Sequence, residues 1–376
     1  MMPPSLDSGH AARRRRAGGL TTDFDGQRLA LARRLACQSR AAVARSVGVS
    51  PAAITQYEKG DARPTAPILA SLGLTLQVPR DFFRTGRPVA SIPSSSAHFR
   101  SLRSTSAAAR DQALAFAELS TEVVDLLEQY IDFPTASLPE LELPTTLTRT
   151  DIEAAARLAR QHFGLPAGPV PHVVRLLEAH GVLVLRLPPE MIDEKVDAFS
   201  TNEARRPTVL LSPLKDDRAR SRFDAAHELG HLLLHHDVEP GSRIIEKEAD
   251  TFAAEFLMPA AEVVGTLPHR LDWAALHAAK RHWGTSLRSL VYRGHDLGVL
   301  SDAAYRRGNQ QLTAWAYPEP GPLGPPEMPS LLGNAATLLA GQGYDLAELA
   351  SAGNITLAHA ERVVAAATDS RPRVQL

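Results

Sequence analysis

The first hydrophobic pattern along the chain predicts five short helices over residues 24–84. Within residues 24–36, apolar side chains recur about every three positions between charged ones, which is typical of an amphipathic helix. The following segments are separated by serine, glycine and proline, which are residues that begin and end helices. We therefore expect an all-α domain at residues 21–88.

Two of these helices are joined by a tight turn. Ser39 is a suitable N-cap for a helix at residues 40–47. After the turn, Ser50 is a second N-cap, and Pro51 suits the first position of a helix that Gly60 ends. Two short helices joined by a glycine-containing turn form a helix-turn-helix, whose second helix enters the major groove of DNA.

The middle of the chain predicts two linkers, a long helix and a small sheet. Proline and serine are frequent in residues 85–96, and a long helix follows to about Ile131. A second proline-rich joint, PTASLPELELPTT, comes next. The pattern after this joint predicts helices at 149–163 and 173–180, and strands at 182–187, near Ala198 and at 208–211. A few short strands among helices predict an α+β domain.

The segment DAAHELGHLLLH, residues 224–235, carries the most specific chemical pattern of the chain. His227 and His231 are four positions apart, so on a helix both imidazoles project from one face and can bind one metal ion. Glu228 follows the first histidine and can reach a water molecule at the same ion. The alternative is a surface helix that happens to carry two histidines.

A third metal ligand has to be His, Asp or Glu, because the only cysteine of the chain, Cys37, is far from this helix. The stretch IIEKEADTFAAEFLM places Glu246 on an apolar helical stripe, where an unpaired charge is costly and a metal ion would supply a partner. Asp250, one turn later, can accept a hydrogen bond from a ligand histidine. Glu248 is the alternative ligand, and Glu246 could instead be a solvated carboxylate at the end of the helix.

The strings HELGHLLLH and EKEADTFAAEFLMP resemble the ImmA/IrrE family of metallopeptidases. The resemblance implies a zincin-like α+β metallopeptidase domain at residues 145–315. It implies zinc as the cofactor, with His227, His231 and Glu246 as its ligands and Glu228 as the general base. In such a site Glu228 takes a proton from the attacking water and delivers it to the leaving amine.

The string VARSVGVSPAAITQYEKGDARPT resembles the Xre-type helix-turn-helix domains of phage repressors. The resemblance implies double-stranded operator DNA as a partner, with base edges facing Ser50, Pro51, Ala52, Thr55 and Gln56. Arg40 and Lys59 are placed to contact the phosphate backbone. Arg40 and Pro51 stand where the family usually has glutamine, which concerns the base specificity and not the fold. The alternative is a helical module that binds a protein partner.

Length and composition predict several domains in one chain. A length of 376 residues is typical of two or three domains, and 44% hydrophobic residues support well-formed cores. A net charge of −1 excludes a wholly basic nucleic-acid binder. The remaining segments are predicted as a disordered basic arm at 1–20, a linker with the long connecting helix at 89–144 and a helical C-terminal region at 316–376. Four arginines at 13–16 form a solvated run or a supplementary phosphate contact.

Two features bear on the compartment. The first residues are basic and lack the apolar stretch of a secretory signal, and no apolar run of the chain reaches the length of a membrane span. The chain has only one cysteine and a predicted zinc site, and both facts fit a reducing compartment. We therefore expect a cytoplasmic protein without a membrane partner.

Together these patterns predict a DNA-binding transcriptional regulator whose zinc-dependent endopeptidase domain cleaves a regulatory protein of the repressor kind. A strand beside the site could bind an extended peptide by edge addition, and a homodimer is the default for DNA binding by such domains. The alternative is a regulator whose peptidase-like domain senses a ligand or partner without cleavage. The intact Glu228 favours cleavage, because a sensor needs no base. An additional oxyanion donor is not assigned, and Tyr292, His235 and His236 are the candidates.

Overall fold

The computed structural model describes most of the chain, namely residues 22–87, 89, 91–93, 106–191, 198–202, 204–213, 217–235, 242–315 and 317–368. The predicted basic arm at residues 1–20, with its four arginines, lies outside the described residues, and so does His236.

The chain divides into two compact units. The first consists of residues 1–89 with 354–356, and the second of residues 90–353 with 357–376. The predicted long connecting helix and the predicted C-terminal region therefore belong, except for three residues, to the same unit as the metal-binding motifs. None of the helices in the described part of the chain is long and apolar enough to cross a membrane.

The first unit contains the five predicted helices. They are α1 (Gly26–Leu35), α2 (Arg40–Val47), α3 (Pro51–Lys59), α4 (Ala66–Leu76) and a 3-10 helix (Arg80–Phe83). Both predicted caps are present, because Ser39 Oγ and Ser50 Oγ each accept a backbone N–H at 3.1 Å. Gly60 ends α3 in the left-handed conformation, with φ 79°, which a residue with a Cβ atom adopts only under strain.

A buried carboxylate joins three of these helices. Glu58, in the last turn of α3, has a side chain only 4% exposed. Its Oε1 accepts from Arg33 Nε of α1 at 2.5 Å, and its Oε2 accepts from Arg40 Nε of α2 at 2.6 Å. Because a buried charge without a partner is strongly destabilising, the two arginines stabilise both the carboxylate and the packing of the helices around it.

The second unit begins with the long helix α5 (Ala107–Leu127), which ends four residues before the predicted end at Ile131. The chain then turns into the proline-rich joint. Arg206 binds this turn by donating to the Glu128 carboxylate and, at 2.6 Å, to the carbonyl of Pro134. The prediction placed the end too late because it followed apolar spacing alone and could not include this long-range contact.

A three-stranded sheet follows the helices α6 (Arg149–His162) and α7 (Val173–Ala179). Its strands are β1 (Leu183–Arg186), β2 (Phe199–Thr201) and β3 (Thr208–Leu211), in the spatial order β1-β3-β2. The central strand β3 is parallel to β1, with Leu183 opposite Thr208, and antiparallel to β2, with Phe199 opposite Leu210. All residues of the three strands are buried, and β2 forms one edge of the sheet. The predicted α+β arrangement is confirmed.

Helices dominate the rest of the second unit. They are α8 (Arg218–Leu234), α9 (Arg243–Leu257), α10 (Ala260–Val263), a 3-10 helix (Val264–Thr266), α11 (Trp273–Trp283), α12 (Leu287–Asp296) and α13 (Asp302–Trp315). A glycine allows α8 and α9 to pack closely: a Cβ atom at Gly230 would lie 3.1 Å from Phe252 Cδ1 and 3.3 Å from Ala249 Cα. This close approach brings the polar side chains of α9 next to the histidines of α8.

The described part of the predicted helical C-terminal region is mostly helical. It folds as three short helices, α14 (Leu331–Gly341), α15 (Leu346–Ala352) and α16 (Leu357–Ala366). Gly343, with φ 89°, turns the chain after α14, and a residue with a Cβ atom would not continue the helix in that conformation.

The segment that precedes these helices, residues 317–330, is called here the C-terminal joint. Two of its carboxylates are bound to the helices of the second unit. Glu327 Oε1 accepts from Arg222 Nη1 of α8 at 2.5 Å, and its Oε2 accepts the backbone N–H of Val173 at the start of α7 at 2.6 Å. Glu319 accepts from Lys280 at 2.6 Å and from the backbone N–H of Leu287 at the start of α12 at 2.7 Å. The joint is therefore part of the packed structure.

Candidate metal centre

The two histidines of the metal-binding motif lie side by side on the buried face of α8. His227 is 0% exposed and His231 is 1% exposed. Their Nε2 atoms face each other at 3.0 Å. The four-residue spacing therefore has the geometric result expected from the sequence, with both imidazoles on one face of the helix.

Glu246 of α9 completes a group of three candidate ligands. Its Oε2 lies 3.4 Å from His227 Nε2, and its Oε1 lies 3.6 Å from His231 Nε2. One ligand atom from each of the three residues lies within 4.8 Å of the others. Both carboxylate oxygens of Glu246 are buried, and neither has a hydrogen-bond partner among the described residues.

The chemistry of this group fits zinc. Two imidazole nitrogens and one carboxylate oxygen form a ligand set used by catalytic zinc sites, which keep a further position open. A buried carboxylate without a hydrogen bond carries a large desolvation cost, and a divalent cation between the three residues would offset it. The unsatisfied oxygens of Glu246 thus support a cation site here.

Asp250 is the hydrogen-bond partner of His227, the first candidate ligand. Its Oδ1 lies 2.9 Å from His227 Nδ1. An ionised carboxylate can only accept, so the imidazole donates from Nδ1 and keeps the lone pair of Nε2 for the ligand group.

A longer chain of hydrogen bonds leads to His231, the second candidate ligand. His231 Nδ1 lies 3.0 Å from His235 Nδ1, and His235 Nε2 lies 3.0 Å from Glu248 Oε2. Because the carboxylate accepts from His235 Nε2, the Nδ1 of His235 accepts from His231, and His231 Nε2 carries no proton.

Glu248 is hydrogen-bonded to His235 and does not belong to the group of three candidate ligands. Sequence reasoning considered Glu248 as an alternative ligand and His235 as an oxyanion donor, and it missed their contact with each other. The third histidine on one helical face, four positions after His231, was the signal that could have indicated it.

Glu228, the candidate general base, is fully buried between α8 and the sheet. Its Oε2 accepts from Ser200 Oγ of β2 at 2.7 Å, whereas its Oε1 has no hydrogen-bond partner in the part of the chain that the structure describes. Burial raises the pKa of the Glu228 carboxyl to about 8, and the charge of His227 and the hydrogen bond from Ser200 act in the opposite direction. A carboxyl with a raised pKa is suited to exchanging protons near neutral pH. Sequence reasoning did not identify Ser200, because nothing in a three-residue strand marks it.

The edge strand β2 lies against the metal-binding helix. Besides the contact of Ser200 with Glu228, Asn202 Nδ2 donates to the carbonyl of Leu232 at 3.2 Å. Among the described strands, β2 pairs only with β3. The predicted strand beside the site is therefore present, and it is an edge strand.

In the first unit, the residues that were predicted to contact DNA lie along α3 and at the start of α2. Ser50, Pro51, Ala52, Gln56 and Lys59 are exposed and Thr55 is partly exposed. Thr55 Oγ1 donates to the carbonyl of Pro51 at 3.2 Å. Arg40 is 52% exposed, but its Nε binds Glu58, so its guanidinium also supports the fold of the domain.

Comparison with known families agrees with this division. Residues 177–295 match the family model of the IrrE N-terminal-like domain, which describes a metallopeptidase family. Residues 26–82 match a family model of a helix-turn-helix domain. No curated protein matches the chain. The two matches confirm both resemblances in the sequence: a helix-turn-helix segment, which suggests DNA binding, is followed by a segment similar to the ImmA/IrrE metallopeptidases.

Proposed function

We propose that this protein is a DNA-binding transcriptional regulator that carries a zinc-dependent endopeptidase and cleaves a regulatory protein. One observation carries the proposal: ligand atoms of His227, His231 and Glu246 lie within 4.8 Å of one another. The candidate base Glu228 stands next to His227 on the same helix. A metal ligand group with an adjacent carboxylic acid is the arrangement that hydrolysis of a peptide bond requires.

Each residue of the site has its own role in the proposed hydrolysis. Zinc, when bound by the three ligands, makes water more acidic and polarises the peptide carbonyl. Glu228 takes a proton from the attacking water and delivers it to the leaving amine. Ser200 holds the Glu228 carboxyl through its hydrogen bond of 2.7 Å, and Asp250 keeps His227 in the tautomer that binds metal.

The position of β2 next to α8 motivates a protein substrate. An extended peptide that pairs with a strand gains backbone hydrogen bonds. Ser200 of β2, and Asn202 just after it, are hydrogen-bonded to α8. A peptide bound there would lie beside Glu228. Because the same chain carries a helix-turn-helix segment, we propose a repressor-like regulatory protein as the substrate and operator DNA as the second partner.

A second candidate function is a regulator whose peptidase-like domain senses a ligand or a partner without cleavage. The full burial of Glu228 favours this alternative, since a substrate has to reach the base. A closed site of this kind fits a domain that changes its conformation on binding.

The two functions are separated by one paired experiment. Bound zinc is measured for the wild type and for Glu228→Gln, and each is incubated with a candidate repressor and with its own chain. We expect equal zinc content, cleavage by the wild type and a loss of about 100-fold or more in the variant, because the proton acceptor is removed. Stoichiometric zinc without cleavage of any physiological candidate would support the sensor.

A further inference from the structure

A cavity of about 910 Å³ lies beside the candidate metal centre. Its walls come from the start of α6, from α9, α12 and α13, and from Phe223 of α8. Asp250 lines it, and the same residue binds His227 at 2.9 Å. The ring of Phe223, one turn before His227, has its centroid 6.3 Å from that of the histidine. The cavity therefore adjoins the first ligand histidine.

The walls of this cavity carry exposed apolar side chains. Ile244 is 69% exposed and Tyr292 is 49% exposed, although both are large and apolar. Ile152 and Met258 add buried apolar surface to the same walls. A concave surface with exposed apolar groups is typical of a binding site for a side chain of a ligand.

Three cations surround the apolar walls. Arg243, Lys247 and Arg288 line the cavity and are exposed. None of the three forms an ion pair within the part of the chain that the structure describes.

The acidic residues of the walls, in contrast, are each bound to a basic partner. Asp250 binds His227, Glu248 binds His235 and Asp296 binds Arg149. Among the described residues that line the cavity, Arg149 and the three cations outnumber the three carboxylates by one, so the walls carry a net charge of +1.

We propose that this cavity binds the substrate segment next to the scissile peptide bond, and that it selects a bulky apolar side chain flanked by carboxylates. The proposal rests on the proposed peptidase function, because the cavity reaches the candidate metal centre through Asp250. The apolar walls bury the side chain, and the three cations attract the neighbouring carboxylates. The substrate class is an extended peptide of mixed apolar and acidic character.

Peptide binding tests this selection without requiring cleavage. The zinc-loaded full chain with Glu228→Gln is titrated with a fluorescent peptide, Gly-Asp-Leu-Phe-Glu-Asp-Gly, at low salt. Two comparison peptides replace either the three acidic residues by lysine or the Leu-Phe pair by serine. We expect each comparison peptide to bind at least about tenfold more weakly, and the affinity for the acidic peptide to fall as salt rises.

A matched pair of triple variants tests the cations. Arg243→Gln, Lys247→Gln and Arg288→Gln are combined, and the control combines Arg270→Gln, Arg281→Gln and Arg307→Gln, which are equally exposed but do not line the cavity. We expect the first variant to bind the acidic peptide about tenfold more weakly and the control to differ by less than about twofold. Zinc content is measured in both, so that a lost ligand group is not mistaken for a lost contact.

A filling variant tests the apolar walls. Thr251 lines the cavity and is partly exposed, and Thr251→Trp should reduce binding of the Leu-Phe peptide more than that of the serine peptide. Equal binding of all three peptides, or equal losses in the two triple variants, would overturn the proposal. Charge-dependent binding to Glu228→Gln without cleavage by the wild type would support the ligand selectivity of the cavity but contradict the peptidase function, and with it the role of that ligand as a substrate.

Discussion

Glu248 Oε2 lies 3.0 Å from His235 Nε2, and through this contact the carboxylate determines the proton position on a candidate zinc ligand that it does not touch. His235 passes the constraint to His231 through a second hydrogen bond of 3.0 Å. Each candidate ligand histidine is thus connected to one carboxylate. Asp250 binds His227 directly, and Glu248 is connected to His231 through the imidazole of His235.

Removal of the Glu248 carboxylate should weaken zinc binding. In Glu248→Ala the imidazole of His235 loses its acceptor, so His231 is no longer held in the tautomer that presents Nε2. We expect a loss of about tenfold in zinc affinity, measured by competition with a chelating dye. The control is Glu348→Ala, an exposed carboxylate of α15. Equal affinities of the two variants would contradict the positioning role of Glu248.

Packing at Gly230 should determine whether the third ligand reaches the histidines. In Gly230→Ala, the new Cβ atom would lie 3.1 Å from Phe252, and α9 would have to move away from α8. We expect a destabilisation of about 1–3 kcal/mol together with weaker zinc binding. Both are measured, by denaturant titration and by dye competition. Gly265→Ala is the matched control, because a Cβ atom there has no neighbour within 4 Å. A stable variant with unchanged zinc affinity would show that the helices do not depend on this contact.

Two variants of the helix-turn-helix segment should distinguish a residue that contacts bases from a residue that also stabilises the fold. Gln56 is exposed on α3, so Gln56→Ala should lower affinity for the operator without changing the thermal midpoint. A lost base contact costs about 1–3 kcal/mol.

Arg40 provides the comparison. Its Nε lies 2.6 Å from the buried Glu58 carboxylate, so Arg40→Ala should lower both the operator affinity and the thermal midpoint. DNA binding is measured by fluorescence anisotropy on operator fragments. Unchanged binding of both variants would contradict the assignment of α3 to the major groove.

The C-terminal helices should lose stability in mild acid. Burial, reinforced by the charge of Arg362, lowers the pKa of His359 in α16 from 6.5 to about 4. In the unfolded chain this histidine takes up a proton as the pH falls through 6.5, whereas in the folded chain it stays neutral until about pH 4. Its contribution to stability is therefore present above pH 6.5 and decreases between pH 6.5 and 4.

Denaturant titration at pH 7 and pH 5 measures this loss. The predicted difference for His359 alone is about 2 kcal/mol. In His359→Leu the difference in unfolding free energy between the two pH values should be smaller by this amount. Tryptophan fluorescence reports the unfolding of the second unit, because this unit contains all three tryptophans as well as His359. An identical pH dependence of wild type and variant would exclude His359 as the source.

The sequence predicted those parts of the structure that depend on local spacing. The four-residue interval of His227 and His231 determines their common face, and Ser39 and Ser50 cap helices as their residue types suggest. Both family resemblances followed from contiguous strings and were confirmed.

Contacts between distant residues could not be predicted in the same way. Ser200 reaches Glu228 across 28 positions, and Arg222 reaches Glu327 across 105. Neither partner has a local signal that names the other. The C-terminal region was predicted as helical without its division into three helices.

The two carboxylates of the C-terminal joint have a consequence for how this protein can be recombined with others. Glu327 binds Arg222 of the helix that carries the candidate zinc ligands, and Glu319 holds the start of α12. Replacing the chain after Trp315 by another segment would leave Arg222 and the start of α12 without their acceptors. The new segment would have to supply carboxylates at the same two places. Residues 145–315 alone therefore lack two carboxylates that their helices bind. A gene fusion that transfers the peptidase-like part should include the C-terminal joint.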